Sequence, residues 1–558
     1  MGALLVESLA IVVYLRDFVS RPLAFDEQWR AYFISLGPDI VHRFDDIPAP
    51  MSAGWTALEW LNTRVLPNNE MVLRLPQTVA LAALAVATYV LSRRWLPVLG
   101  AWAVAAALLL NGPLLVYGML MKPFVFEAMC GVLVLVGWLW LQDGTHPPAT
   151  HLLAYAGIGL ATVFAASAIF LAIPLLALGL WRQRRGPVLG LTLAGSAVTA
   201  VIAGLHMKFF FLRQGQLLKE PYWQSFFVPH SSQAVSFLVD QAKAFARLPS
   251  ASFLSPDTAD QYLAGSIPPV SALAAALGIA FVVLVAWGVV VAARTATGRA
   301  LLAALFGALA IQFVASWLEK WPFGMVRVNL VLVPLLYVVI GLGVADLVRR
   351  AMAVVRPPAD PTGSTGSSGA PTAVAGRVVV VGLAVVALLS VAVAIPVEAK
   401  TVRGFEARYS SPLFVDRIRD AVAVVRSVAG PDDVVVAVLD HNGWAYYSLY
   451  YDDAGLDAAA VARVPADHTL QVDDFLSPEI KPFVEAHPTA QHVVVFNFMG
   501  ISPEYYDQQA AWMAERNLCP TRRWDFDQTG IVTEYTRVPD ATHCPDAQPQ
   551  PVSPLPSS

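Results

Sequence analysis

Two adjacent carboxylates, Asp26 and Glu27, stand in the stretch RPLAFDEQWRAYF, among aromatic side chains and directly behind the first apolar run. A carboxylate held at a water–lipid boundary can take the proton of an attacking hydroxyl, which makes Asp26 a candidate general base. Glu27 could orient Asp26, act on it as a like charge, or contact an acceptor. The plainer role for both acids is to cap and solubilise a helix end. Basic residues stand near the ends of other apolar runs, at Arg74, Lys122 and Arg327. Fixed cations in a partly buried site stabilise negative charge developing on a phosphate, Arg through bidentate geometry and Lys as a point charge. Each has a simpler alternative, a long side chain snorkelling to the interface, and for Arg74 that alternative is preferred. Glu127 is costly to leave unpaired in lipid and is expected to pair with nearby Lys122.

The elements that must position these groups follow from composition. Of 558 residues, 56% are hydrophobic and only 14% charged, with a net charge of −4. This is the profile of a polytopic helical membrane protein, and nothing in it suggests a nucleic-acid partner. A crossing needs about 20 apolar residues, and eleven are expected, near 2–19, 72–92, 98–118, 123–141, 151–166, 168–181, 187–207, 267–293, 299–318, 326–347 and 378–397. The first run lacks a basic start and a cleavage site, so it reads as a retained helix. The run from His151 to Trp181 is either one long tilted helix or two short crossings turning near Ala166 and Ser167. Charge decides between them. Arg93 and Arg94, then Arg182, Arg184 and Arg185, then Arg294 and Arg299, and finally Arg349, Arg350 and Arg356 share one side only with two crossings. The positive-inside rule makes that side the cytoplasm, with the N-terminus there too. Residues 20–71, the turn at Lys122, the segment 208–266 and the C-terminal domain then face outward, the first two bringing the acids and a cation to the same surface.

Three ordered motifs carry a resemblance. The acidic pair after the first helix is followed by a Pro-containing loop, an aromatic helix and NEMVLRLP; then come YGMLMKPFVFEAM and KWPFGMVRVNLVLVP. In this order they resemble the membrane glycosyltransferases of the C-type superfamily, in the branch of protein O-mannosyltransferases, aminoarabinose transferases and lipopolysaccharide galacturonosyltransferases. Lys122 matches the lysine of the family's E-x-K-x-Y-x-x-D turn, with Phe124 in place of Tyr and Glu127 in place of Asp. Arg327 matches the arginine of its P-F-G-x-x-R pattern. The resemblance implies transfer of a sugar from a polyprenyl phosphate to a glycan, lipid or protein acceptor of the cell envelope, on the outer face of the cell membrane. It implies an inverting reaction with Asp26 as base, Lys122 and Arg327 on the donor phosphate, and no cofactor. A divalent metal held by acids such as Asp45 and Asp46 is the disfavoured variant. The rival classes are a transporter or lipid flippase and a catalytically inactive envelope scaffold. Transporters show repeated halves and ionisable groups near the bilayer midplane, whereas here the charges gather at helix ends and no internal repeat is apparent.

The expected domain order is a transmembrane core over 1–350, a Pro/Gly/Ser linker over 351–377, a last crossing over 378–397, a soluble α/β domain over 398–545 and a disordered tail over 546–558. Within 208–266 two amphipathic stretches read as a lid or as passive interfacial helices. In the soluble domain, helices alternate with the strand-like DDVVVAVLD, QHVVVFNF and GIVTEYTRV, which predicts a mostly parallel sheet. Its Cys519 and Cys544 would meet an oxidising compartment, where a disulfide can form.

Overall fold

The computed structural model describes Gly2 and residues 19–144, 146–214, 221–246, 272–324, 326–355, 417–438, 441–451, 466–472, 478–498, 503–526, 530–541 and 543–552. Nearly all of the expected first crossing, the linker from 356 onward, the last crossing at 378–397 and the end of the tail lie outside these residues, while 351–355 belong to the helix that precedes the linker. In chain order the membrane-protein part comprises α1 (Phe25–Ser35), α2 (Ala53–Val65), α3 (Glu70–Ser92), α4 (Val98–Leu109), α5 (Gly112–Gly118), α6 (Phe124–Gln142) and α7 (Pro148–Phe164). It continues with α8 (Ala168–Gln183), α9 (Leu189–Phe209), α10 (Gln233–Ala246), α11 (Ala272–Ala292), α12 (Ala296–Trp317) and α13 (Val333–Val355). After these come α14 (Ile418–Val428), β1 (Val434–Val438), α15 (His441–Ala445), β2 (Thr469–Val472), α16 (Ile480–Ala486), β3 (His492–Phe498), α17 (Pro503–Ala514), β4 (Leu518–Asp525), β5 (Gly530–Arg537) and β6 (Gln548–Gln550). Five described helices are long and apolar enough to cross a membrane, or six if the bent pair α4 and α5 forms one span.

The chain forms two compact units that cut across sequence order. One comprises residues 1–14, 43–56 and 76–406; the other comprises 15–42, 57–75 and 407–558. The second therefore joins most of the first long loop to the C-terminal domain.

In the first unit, two expected crossings show how local chemistry breaks a helix. The run 98–118 bends by 65° between α4 and α5. Asn111 causes the break: its side chain accepts the Leu114 N–H at 3.2 Å, and Pro113 in the new first turn has no N–H to continue the old helix. Between α7 and α8, Ala165 is extended with φ −145° and ψ 97°, and the freed Ala166 N–H donates to the Ser52 hydroxyl at 2.9 Å. Two short helices are thus present where charge asked for them. Tight helix pairs rest on small residues, as close packing in lipid requires. At Gly195 a Cβ would collide with the ring of Tyr155, whose carbonyl accepts the Thr199 hydroxyl at 2.7 Å.

In the second unit the sheet order is β2-β1-β3-β5-β4-β6. β1 runs parallel to β2 and β3, and β4 parallel to β6, but β5 is antiparallel to both β3 and β4. The sheet is mostly parallel, as expected from the sequence: five of its six described strands share one direction, and β5 runs against them. β4 escaped the sequence because LCPTRRWD shows no apolar alternation, and its pairing slips between Pro520 and Arg522, where proline has no N–H to donate to the ladder. Val434, Val436, Val493, Val495, Met513 and Leu518 form the core of the domain. A disulfide joins Cys519 to Cys544.

Candidate active site

Asp26 and Glu27 occupy the first turn of α1, where a helix N-terminus favours carboxylates. They diverge at once. Asp26 is half-buried, and its carbonyl accepts from the Arg30 guanidinium. Glu27 is fully buried and accepts the Ala24 N–H at 3.0 Å, closing the helix entry. Its two oxygens take a bidentate grip from Arg74, Nε to Oε1 at 2.9 Å and Nη2 to Oε2 at 2.8 Å. Burial pushes the Glu27 carboxyl up, but the charge and hydrogen bonds of Arg74, with Arg21 and the Ala24 amide, outweigh it and hold the group at about 2. Glu27 is an ionised strut.

Arg74 is also completely buried. Besides Glu27 it donates to the carbonyls of Val19 at 2.7 Å, Arg21 at 2.6 Å and Pro22 at 3.2 Å. A guanidinium has five N–H donors, and these contacts engage all of them. In this geometry Arg74 ties the approach to α1 and has no donor to offer a lipid phosphate, and its complete burial also corrects the snorkelling preferred from the sequence.

One turn earlier on α3, Glu70 is fully buried as well. It receives the hydroxyl of Tyr447 at 3.2 Å, the hydroxyl of Tyr451, and Nη1 of Arg419 at 3.3 Å. Tyr447 lies within the π turn Tyr446–Tyr450 after α15, Tyr451 directly follows it, and Arg419 lies on the buried face of α14. Burial, and then the Glu70 carboxylate, push the Tyr447 phenol well above its ordinary value, so it stays a donor. Its oxygen also accepts the Leu23 N–H at 2.8 Å, while the Leu23 carbonyl accepts from Gln28 at 2.7 Å. Arg426 secures the π turn from below through the carbonyls of Tyr447 and Ser448, at 3.1 and 2.8 Å. Glu70, Arg419, Tyr447 and Tyr451 were not singled out from the sequence. The available signal was the four-residue spacing of Glu70 and Arg74, which puts both on one helix face, together with the dense tyrosines of GWAYYSLYY.

Helix α1 ends at Gly37, whose φ of +61° is the left-handed conformation glycine supplies, and a Cβ there would strike the Trp60 indole.

The cations of the first unit are placed differently. Lys122 is buried, in the turn before α6, with its ammonium 5.8 Å from the centre of the Tyr117 ring. Its expected ion pair with Glu127 is not formed among the described residues, because Glu127 lies buried within α6 while the lysine turns toward the aromatic. Arg327 is half-buried in the 3-10 turn Val326–Leu332 ahead of α13. The preceding WPFG loop is anchored by the Asn329 amide donating to the Phe323 carbonyl at 2.8 Å and by the Gly324 N–H donating to the Phe226 carbonyl at 2.8 Å. The His206 imidazole accepts the Ala53 N–H at 3.2 Å and so caps α2. Asp46 pairs with Arg43 on the surface.

No protein-family model matches the chain, and no curated protein sequence matches it. Solved structures do. ArnT from Cupriavidus metallidurans in the apo state is 16% identical, with a TM-score of 0.52, over 96% of this chain and 97% of that one. The same protein bound to undecaprenyl phosphate gives 15% identity and a TM-score of 0.52, over 98% and 99%. The apo oligosaccharyltransferase of Archaeoglobus fulgidus is 14% identical, with a TM-score of 0.47, over 96% of this chain and 74% of that one. The likeness in fold rests on the first two.

Proposed function

We propose, from a fold shared with the C-type membrane glycosyltransferases, that this polytopic membrane protein transfers a sugar from a polyprenyl phosphate to a cell-envelope acceptor. The observation that carries the reading is a match along nearly the whole of both chains to a protein solved with undecaprenyl phosphate. In the proposed reaction an acceptor hydroxyl attacks the anomeric carbon, and its proton passes to the Asp26 carboxylate. The bond from that carbon to the phosphate oxygen breaks, its electron pair stays on the leaving polyprenyl phosphate, and the configuration inverts. Lys122 and Arg327 are assigned to the donor phosphate, where preorganised cations meet the charge that develops on departure. Glu27 and Arg74 hold the backbone that presents Asp26. The site opens on the extracytoplasmic side, to which the C-terminal domain also belongs, with the basic loops of the first unit in the cytoplasm.

The test is incubation of membranes carrying the protein with radiolabelled polyprenyl-phosphate mannose and polyprenyl-phosphate arabinose. Label should pass to an envelope acceptor and disappear in Asp26→Asn, a loss of 100-fold or more, as expected for removal of a general base, with membrane insertion unchanged. Transfer by Asp26→Asn at the wild-type rate would remove the proposed base. Movement of lipid or substrate across the bilayer without transfer would instead support a flippase.

A further inference from the structure

The carboxyl ends of parallel strands are where α/β domains ordinarily receive ligands. Here the segment leaving β1 is used otherwise. It runs through α15 into the π turn, and both pack on α1. Trp444 stacks on Phe496 of β3, with ring centres 5.3 Å apart, which closes that end of the sheet with protein. Tyr32 of α1 meets Tyr450 edge to face at 6.1 Å. At the centre the Tyr447 hydroxyl joins two buried groups, receiving the Leu23 N–H and donating to Glu70. Leu23 lies three residues before Asp26. Neither its amide nor Glu70 has access to water, so this hydroxyl fixes the backbone from which the acidic turn starts.

We infer that the C-terminal domain is a positioning element for Asp26: Tyr447, oriented by Glu70 and Arg419, sets the Leu23 backbone and with it the direction of the first turn of α1. The inference rests on the assignment of Asp26 as base. Tyr447 touches neither donor nor acceptor in this scheme and acts only through α1.

The test uses the full chain in lipid nanodiscs and three variants. Tyr447→Phe removes the shared hydroxyl. Tyr451→Phe loosens Glu70 without touching Leu23, and it supplies both readouts should Tyr447→Phe not assemble. Tyr535→Phe is the control, because it deletes an equally buried hydroxyl, bonded to Gln509 at 3.0 Å within the sheet core. Hydrogen exchange over residues 21–35 should speed up about tenfold in Tyr447→Phe, the effect of one net buried hydrogen bond on a local opening. Strands β1, β3 and β5 should exchange as in the wild type. With undecaprenyl-phosphate mannose or undecaprenyl-phosphate arabinose as donor, kcat should fall at least tenfold with KM unchanged, while Tyr535→Phe keeps both. Unchanged exchange over 21–35 in Tyr447→Phe, or an equal loss of kcat in Tyr535→Phe, overturns the inference. If the wild type transfers from neither donor, the glycosyltransferase reading fails, and the exchange result alone decides whether Tyr447 holds α1.

Discussion

Replacing Arg74 by Met removes the cation that grips Glu27 and three carbonyls on the approach to Asp26. The cost follows from what remains. Glu27, with no exposed surface, would lose its bidentate partner while Arg21 stands with its Nη2 3.9 Å from Oε2, and three carbonyls would lose the Arg74 donor. Removing one partner of a buried pair costs about 3–5 kcal/mol. A second route gives a similar size: a carboxyl lowered from 4.5 to about 2 corresponds to about 3 kcal/mol of folding free energy at neutral pH. Against a total of roughly 5–15 kcal/mol for a domain, Arg74→Met should sharply lower the melting temperature of the purified protein in nanodiscs. It should also expose residues 19–35 to protease. Arg74→Lys should lie close to Arg74→Met, since an ammonium cannot grip Glu27 bidentately and reach three carbonyls. The double variant Glu27→Gln/Arg74→Met should recover part of the loss, because no unpaired charge is left buried. A variant Arg74→Met that melts like the wild type but raises the KM for a polyprenyl-phosphate donor would falsify this account and put Arg74 on the phosphate.

Glu27 makes stability depend on pH in a defined direction. Its native carboxyl lies below the unfolded one, so its contribution is complete above about pH 4.5 and fades as pH falls toward 2. The stability gap between wild type and Glu27→Gln should narrow over that window, and a constant gap would contradict it. For the donor phosphate, Lys122→Met should reduce transfer tenfold or more through weaker transition-state stabilisation. Arg327→Lys should do so too, since it keeps charge and loses bidentate geometry; steady-state kinetics in both that match the wild type would refute the assignment. Finally, Cys519→Ser opens a cross-link of sequence separation 25 and should destabilise the sheet domain by about 3 kcal/mol, read as a lower denaturant midpoint for tryptophan fluorescence.

Among the described residues the apolar runs coincide with helices, five or six of them long enough to cross a membrane, because a crossing must be apolar over its full length. Charge asymmetry also anticipated the break between α7 and α8. The bend at Asn111 was hidden, since a cap and a following proline inside an apolar run leave hydropathy unchanged. The strands β1, β3 and β5 are rich in β-branched and aromatic residues and were plain in the sequence; β2, β4 and β6 are short or polar, and what makes them strands is pairing with neighbours. At the candidate site, residue type identified charged groups without telling which way they face. Asp26 and Glu27 read alike as adjacent acids, yet Glu27 is fully buried and Asp26 half-buried. Arg74 and Glu70 derive their roles from partners far along the chain, which no local pattern records.

Arg419 and Glu70 are separated by 349 residues. At a synthesis rate of about 5–20 residues per second, the ribosome needs roughly 20–70 s to travel from one to the other. Throughout that interval the nascent α1 region waits without the tyrosines and the arginine that complete its setting. The setting of α1 is therefore complete only once the C-terminal domain has been made, and a chain interrupted before that domain would carry every expected catalytic side chain and still lack Arg419, Tyr447 and Tyr451 around Glu70.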